Sequence, residues 1–322
     1  MINSTSNATS SHSNSTAAVQ TKGLTKTYKT TNAVQSIDIT VPAGCHCGFL
    51  GKNGAGKTTT MKMLTGLIRP TSGEIQMMGE PRHFGQGGSV NLFGYLPDVP
   101  DYYHYMTARE FLTLCANICK IPKAEADQRI THLLKTVGLD RTRAKTGGFS
   151  RGMRQRLGIA QALITNPKIV FMDEPMSALD PMGRRDVAEI IAGLKDTTVV
   201  FSTHILADVE NVCNYILIIE KGQIVAQDTM ENLRAKHATN ALRLKFFSPE
   251  GAQAFVEKST DGFSLEALEN PLEVLVRHSG NTQEISLRTM AAAANLGIAI
   301  ETLEAHTPTL EDIFYTSIKE AK

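Results

Sequence analysis

The chain has 322 residues, 42% of them hydrophobic and 20% charged, enough to bury one large core and a smaller second one. A formal net charge of +1 gives no overall field for nucleic acid, and no apolar run approaches the roughly 20 residues that a membrane-spanning helix needs. Five cysteines without a framework of spacings fit a reducing compartment; Cys45-x-Cys47 and Cys115-x-x-x-Cys119 lack second ligand pairs and read as core packing.

Residues 1–19 are almost wholly Ser, Thr, Asn, Ala and His, too poor in apolar side chains to offset ordering entropy, and predict a disordered tail. Strands, loops and helices then alternate to about residue 98. Gly48-Phe49-Leu50 predicts a strand feeding the loop Gly51-Lys52-Asn53-Gly54-Ala55-Gly56-Lys57-Thr58, a gapless match to G-x-x-x-x-G-K-[ST]. Glycines there let backbone N–H groups turn toward phosphate oxygens where side chains would block the approach. Gly51, Asn53, Gly54, Ala55, Gly56, Lys57, Thr58 and Thr59 are therefore the candidate phosphate contacts. Lys57 is expected to reach the β- and γ-phosphates and Thr58 to offer its hydroxyl to Mg²⁺. A helix over Lys57–Leu67 would point its partly positive N-terminus at the same anion.

A strand over Leu92–Pro97 leads to Asp98, and Gln86, in a Gly-Gln-Gly-Gly setting, reads as surface loop. From Tyr102 to about Ile164 the pattern is helical. Thr107-Ala108-Arg109-Glu110 is a capping-box sequence opening a helix with Phe111, Leu114, Cys115 and Ile118 on one face. Phe149-Ser150-Arg151-Gly152-Met153-Arg154-Gln155-Arg156 follows near its end. The apolar run Ile169-Val170-Phe171-Met172 predicts a buried parallel strand with Asp173 and Glu174 at its carboxyl end, where such sheets bind ligands. Asp173 is placed to hold Mg²⁺ through its water shell, and Glu174 to orient or deprotonate an attacking water. Ser177-Ala178-Leu179-Asp180 comes next, then a strand over Thr198–Ser202 that ends at Thr203-His204.

After Lys236 the pattern is strand (Leu242–Phe247), helix (Glu250–Lys258), strand (Phe263–Leu268), strand (Leu272–Arg277), helix (Thr282–Asn295), strand (Ile298–Leu303) and a final helix from Thr309. That βαββαβ order is ferredoxin-like and is shared with RNA-recognition modules. Its strands lack aromatic stacking residues, and from Ala238 to Lys322 seven Lys and Arg face twelve Asp and Glu, a net of −5 that would repel a phosphate backbone.

The Gly51–Thr58 loop, the 149–156 segment and the Asp173-Glu174 strand together resemble the nucleotide-binding subunit of an ATP-binding-cassette (ABC) transporter, in the form that serves ABC-2-type exporters. Phe149-Ser150-Arg151-Gly152-Met153 stands at the family's LSGGQ signature and departs from it at three positions, keeping Ser150 and Gly152. The resemblance implies an α/β fold: a P-loop NTPase (RecA-like) core with an antiparallel β subdomain and a helical subdomain at about 99–165. The ATP-binding domain would span 20–237 and an accessory C-terminal domain 238–322. It further implies ATP and Mg²⁺, a homodimer or a heterodimer with a second ATPase subunit, separate membrane permease subunits, and a peripheral place on the cytoplasmic face of the cell membrane.

Carried over position by position, Tyr28 would stack on adenine, and Ser150 and Gly152 would be offered to a phosphate across the dimer interface. Asp180 would lie in the loop that crosses to the partner, and His204 would contact the γ-phosphate. Lys57, Glu174 and His204 would be catalytic, with Thr58, Asp98 and Asp173 toward the metal. Asp98 stands where the family has a glutamine that touches Mg²⁺ and passes nucleotide state to the membrane partner; a carboxylate can approach Mg²⁺ but cannot donate. Two other readings remain. A soluble ABC ATPase acting on nucleic acid or ribosomes would carry paired cassettes, a coiled-coil insertion or a basic extension. A P-loop phosphotransferase would need neither the 149–156 segment nor His204.

Overall fold

The first strand, β1 (Ala17–Tyr28), buries Ala18, Val19, Thr21 and Leu24 and pairs antiparallel with β2 (Thr31–Ile37), with β3 (Thr40–Pro42) and with a later strand, Ser72–Met77. The computed structural model describes residues 17–85, 91–237, 241–258, 264–268, 270–278, 281–306 and 308–320. The expected tail ended at residue 19, yet β1 begins at Ala17: Ala18 and Val19 are fully buried, so two apolar side chains suffice to recruit the segment into the sheet. Residues 1–16 and Gln86 lie outside the described residues.

Next in the chain come β4 (His46–Leu50), α1 (Lys57–Leu64), β5 (Ser72–Met77), β6 (Glu80–Pro81) and β7 (Phe93–Leu96). Helix α1 stops at Leu64, short of the expected Leu67, and Gly66 follows at φ 74°, a left-handed turn that glycine takes without strain. The helical stretch is α2 (Ala108–Ile118), α3 (Lys123–Thr136) and α4 (Arg151–Leu163). Thr107 and Glu110 form the reciprocal capping box at the start of α2. The buried face of α2 is Ala108, Phe111, Leu112 and Ala116. The expected face of Phe111, Leu114, Cys115 and Ile118 is rotated from it, and Ile118 is 71% exposed. Small Ala108 and Ala116, which a hydrophobicity reading underweights, make up half of that buried face.

The first unit closes with β8 (Ile169–Met172), α5 (Pro181–Ala192), β9 (Thr198–Thr203), α6 (Leu206–Glu210), β10 (Tyr215–Glu220) and β11 (Gln223–Thr229). One six-stranded sheet runs β11-β10-β4-β9-β8-β7, parallel except for the β10–β11 hairpin. Strands β8 and β9 are buried along their whole length, as continuous apolar runs covered on both faces must be. Because β4, β9 and β8 are parallel neighbours, the segments after Leu50, Thr203 and Met172 emerge along the same edge. Close packing fixes β7 against α4: a Cβ on Gly94 would stand 1.9 Å from the Ala162 carbonyl oxygen.

The chain divides after Met230 into a second unit, Glu231–Glu320. It contains most of α7 (Met230–His237), then β12 (Ala241–Phe246), α8 (Pro249–Lys258), β13 (Ser264–Ala267), β14 (Glu273–Arg277), α9 (Thr282–Asn295), β15 (Ile300–Ala305) and α10 (Leu310–Glu320). Its sheet order is β13-β14-β12-β15, antiparallel throughout. Leu242, Leu244 and Phe246 of β12 share a core with Phe255 of α8 and with Ile285 and Ala293 of α9. The same strand's other face carries charge, with Lys245 2.9 Å from Glu301.

Candidate functional site

The loop between β4 and α1 leads into a helix N-terminus with no side-chain cap. Gly56 caps α1 at φ 114° without a side-chain hydrogen bond, and the first turn holds no acidic residue, so the helix's positive end is unmatched. A Cβ on Gly51 would meet the Ile219 carbonyl oxygen at 2.6 Å, and one on Gly56 the Ala33 carbonyl oxygen at 2.7 Å, which fixes glycine at both ends of the loop. Gly54, at φ 81°, has nothing within 4 Å on its Cβ side. Ala55 is buried and donates its N–H to the Lys52 carbonyl, closing the turn. Lys57, 6% exposed, donates to the Gly51 carbonyl at 2.7 Å and lies 3.3 Å from Glu174 Oε1.

Opposite the loop, Asp173 is 1% exposed and accepts from Thr58 Oγ1 at 3.1 Å and from Ser202 Oγ at 2.6 Å. Two donors satisfy a carboxylate that burial would otherwise penalise. Ser202 Oγ also accepts the Glu174 N–H at 2.9 Å. Glu174 itself adopts φ 48°, and its carboxylate faces His204 Nδ1 at 3.0 Å as well as Lys57. Tyr95, on β7, has a buried hydroxyl without a hydrogen-bond partner among the described residues. Burial first, then Asp173 and Asp98, push its pKa up to about 12, so it stays a protonated donor.

Beside them is one cleft of about 360 Å³, lined by Asn53, Gly54, Gly56, Lys57, Thr58, Thr59, Asp98, Glu174 and His204, together with Ala33 and Ser177. The buried Gly51, Ala55 and Asp173 lie outside that lining, as do Tyr28, Ser150, Gly152 and Asp180. Tyr28 ends β1, about half exposed, with Lys26 Nζ 4.9 Å from its ring centroid. Ser150 caps α4, its Oγ accepting from the Met153 N–H; a Cβ on Gly152 would touch only Leu179, leaving that backbone bare. Asp180 caps α5 by accepting from the Gly183 N–H. Asp98 accepts from Ser177 Oγ at 2.9 Å, with Arg151 3.8 Å away.

Besides Tyr95, three participants lay outside the expected set. Ser202 follows the apolar run Val199-Val200-Phe201, two residues before His204, but shares its strand with the hydroxyls of Thr198 and Thr203, which blurs the signal. Ser177 stood in a segment from which only Asp180 had been singled out. Ala33 offers a backbone carbonyl and no sequence signal at all.

The ABC transporter family profile matches residues 34–177. The chain is 35% identical to the uncharacterized ABC transporter ATP-binding protein YxlF of Bacillus subtilis over 91% of its length and 97% of that protein. The chain belongs to the ATP-binding proteins of ABC transporters. Against the bacitracin transport ATP-binding protein BcrA of Bacillus licheniformis the ABC subunit is 33% identical, covering 92% of itself and 95% of BcrA. Against the daunorubicin/doxorubicin resistance ATP-binding protein DrrA of Streptomyces peucetius the identity is 30%, covering 93% and 92%. A solved ATP-binding subunit of an ABC transporter superposes with a TM-score of 0.60 at 29% identity, over 68% of this chain and 92% of that one. Among the described residues no helix is long and apolar enough to cross a membrane.

Proposed function

We propose that this ABC subunit hydrolyses ATP in the Lys57–Glu174–His204 cleft, dimerises around two ATP molecules, and powers export through separate membrane subunits from the cytoplasmic face of the cell membrane. The observation that carries the reading is convergence: side chains 117 residues apart, Lys57 and Glu174, meet at 3.3 Å beside an uncapped helix N-terminus. The Gly51–Thr59 loop would bind the β- and γ-phosphates through backbone N–H groups and Lys57. Thr58 and Asp173 offer the hydroxyl and carboxylate oxygens that a hard divalent cation prefers, already 3.1 Å apart. Bound there, Mg²⁺ would offset charge on the phosphates.

Glu174 would hold the attacking water in line, with His204 setting the carboxylate's orientation and facing the γ-phosphate. Ser150 and Gly152, capping and baring the start of α4, would complete the partner's nucleotide site, so that hydrolysis awaits dimerisation. Tyr28 would stack on the adenine, and Asp180 would sit at the interface. The names of the relatives BcrA and DrrA, which speak of bacitracin transport and of daunorubicin/doxorubicin resistance, support the export reading. We read the second unit as ferredoxin-like from its strand order and connectivity, with an accessory role in dimerisation or regulation.

The test is equilibrium binding of a labelled ATP analogue. Lys57→Ala removes the charge facing the phosphates and should weaken binding on the order of a hundredfold, as loss of a charge-assisted contact of about 2–3 kcal/mol implies. Affinity within a few-fold of the parent protein would defeat the assignment.

A further inference from the structure

Three side chains from three separate segments meet at the edge of the cleft. Asp98 follows β7, Arg151 is the first helical residue of α4, and Ser177 lies in the turn after β8. Ser177 Oγ donates to Asp98 Oδ1 at 2.9 Å, and the Arg151 guanidinium stands 3.4 Å from Ser177 Oγ and 3.8 Å from Asp98 Oδ1.

Arg151 is electrostatically out of place within its own helix. The N-terminus of a helix carries the positive end of the macrodipole, and the first turn of α4 holds no acidic residue to relieve it. Arg154, one turn on, is engaged elsewhere, donating from Nε to the Phe149 carbonyl at 3.1 Å. A cation in that position calls for a carboxylate from another element, and Asp98 supplies it. Both positions are among those where the sequence departs from the ABC pattern, and they are the ones that change charge: a carboxylate in place of an amide at 98, an arginine in place of a glycine at 151. Each departure alone adds an unbalanced charge beside the nucleotide cleft. In the folded chain they fall on one another.

We propose that Asp98 and Arg151 form a matched ion pair bridged by Ser177, which ties the end of β7 to the first turn of α4, and that Asp98 is a positioning residue acting through Arg151 instead of a metal ligand. The pair thereby sets the direction in which Ser150 and Gly152 are presented. Both side chains are about half exposed, so the pair is screened by salt and can part and re-form; its consequence is geometric, not a gain in fold stability. The proposal rests on the reading of this cleft as the ATP site.

ATPase kinetics of the full-length protein test it with Asp98→Gln, Arg151→Gly and the double variant. Each single variant strands one charge and should lower kcat by roughly fivefold to tenfold, within the range of measured couplings between contacting residues, with KM for ATP little changed. The double variant should recover most of the parent rate. Single effects that multiply in the double variant, or single variants that match the parent, overturn the pairing. Arg151→Lys, which keeps the charge, should retain most of the rate, and its failure to do so while Arg151→Gly is tolerated would also overturn it. The Mg²⁺ concentration for half-maximal activity gives an independent readout: pairing leaves it equal in both single variants, whereas a shift confined to Asp98→Gln assigns Asp98 to the metal. Lys57→Ala serves as the control, because unchanged ATP affinity there defeats the site reading itself and not the pair.

Discussion

Glu174 occupies a left-handed backbone conformation, φ 48°, which costs a non-glycine residue about 1–2 kcal/mol and persists only where neighbours hold it. Here the neighbours are explicit: Ser202 receives the N–H, while Lys57 and His204 flank the carboxylate. Glu174→Gln preserves the shape and these backbone constraints while removing the charge, so ATP binding should survive and turnover should fall by on the order of 10²–10⁴. Multiple-turnover phosphate release checks the rate, and size-exclusion chromatography with ATP and Mg²⁺ should show a stable dimer. Hydrolysis near the parent rate would remove Glu174 from its role. At this scale the sequence was most readable where a short motif's chemistry dictates the residue type, as at Lys57, Thr58, Asp173 and Glu174; His204 was expected only from the family resemblance. Ser202 was harder to see because a buried serine looks the same on paper whether it caps a strand or holds two carboxylate residues at once.

Elements were legible where a local rule fixes them and shifted where packing decides. The capping box at Thr107 and Glu110 formed as its spacing requires, and α9 spans Thr282–Asn295 as the periodicity indicated. The buried face of α2 was displaced because alanines fill it, and β1 reached back into the polar N-terminal stretch because Ala18 and Val19 found a sheet to join. Close approach of β7 to α4 is a purely tertiary matter, carried by Gly94 beneath the Ala162 carbonyl. Gly94→Ala would place a methyl group where no side chain can yield, forcing the backbone of α4 away. Overpacking of this kind costs about 1–3 kcal/mol or more, so thermal unfolding should move several degrees lower; an unshifted transition would mean that β7 and α4 are free to separate.

Across the whole molecule, the division after Met230 separates every residue of the cleft from the βαββαβ unit. A chain ending at Met230 should therefore remain soluble and bind ATP within a few-fold of the full protein; loss of nucleotide binding on truncation would show that the second unit completes the first. What the sequence determined by itself was the chemistry and the class of fold. Glycines, a lysine and paired carboxylates at fixed spacings admit few alternatives, and apolar runs of strand length bounded by loops specify a covered parallel sheet. What only tertiary structure decided was which distant residues share a surface: Ser202 under Asp173 and Glu174, Ala33 against the phosphate loop, and Asp98 opposite Arg151. Motifs are read from covalent neighbours, whereas charge pairing across 53 residues of chain depends on strand order and helix placement, which local spacing does not encode.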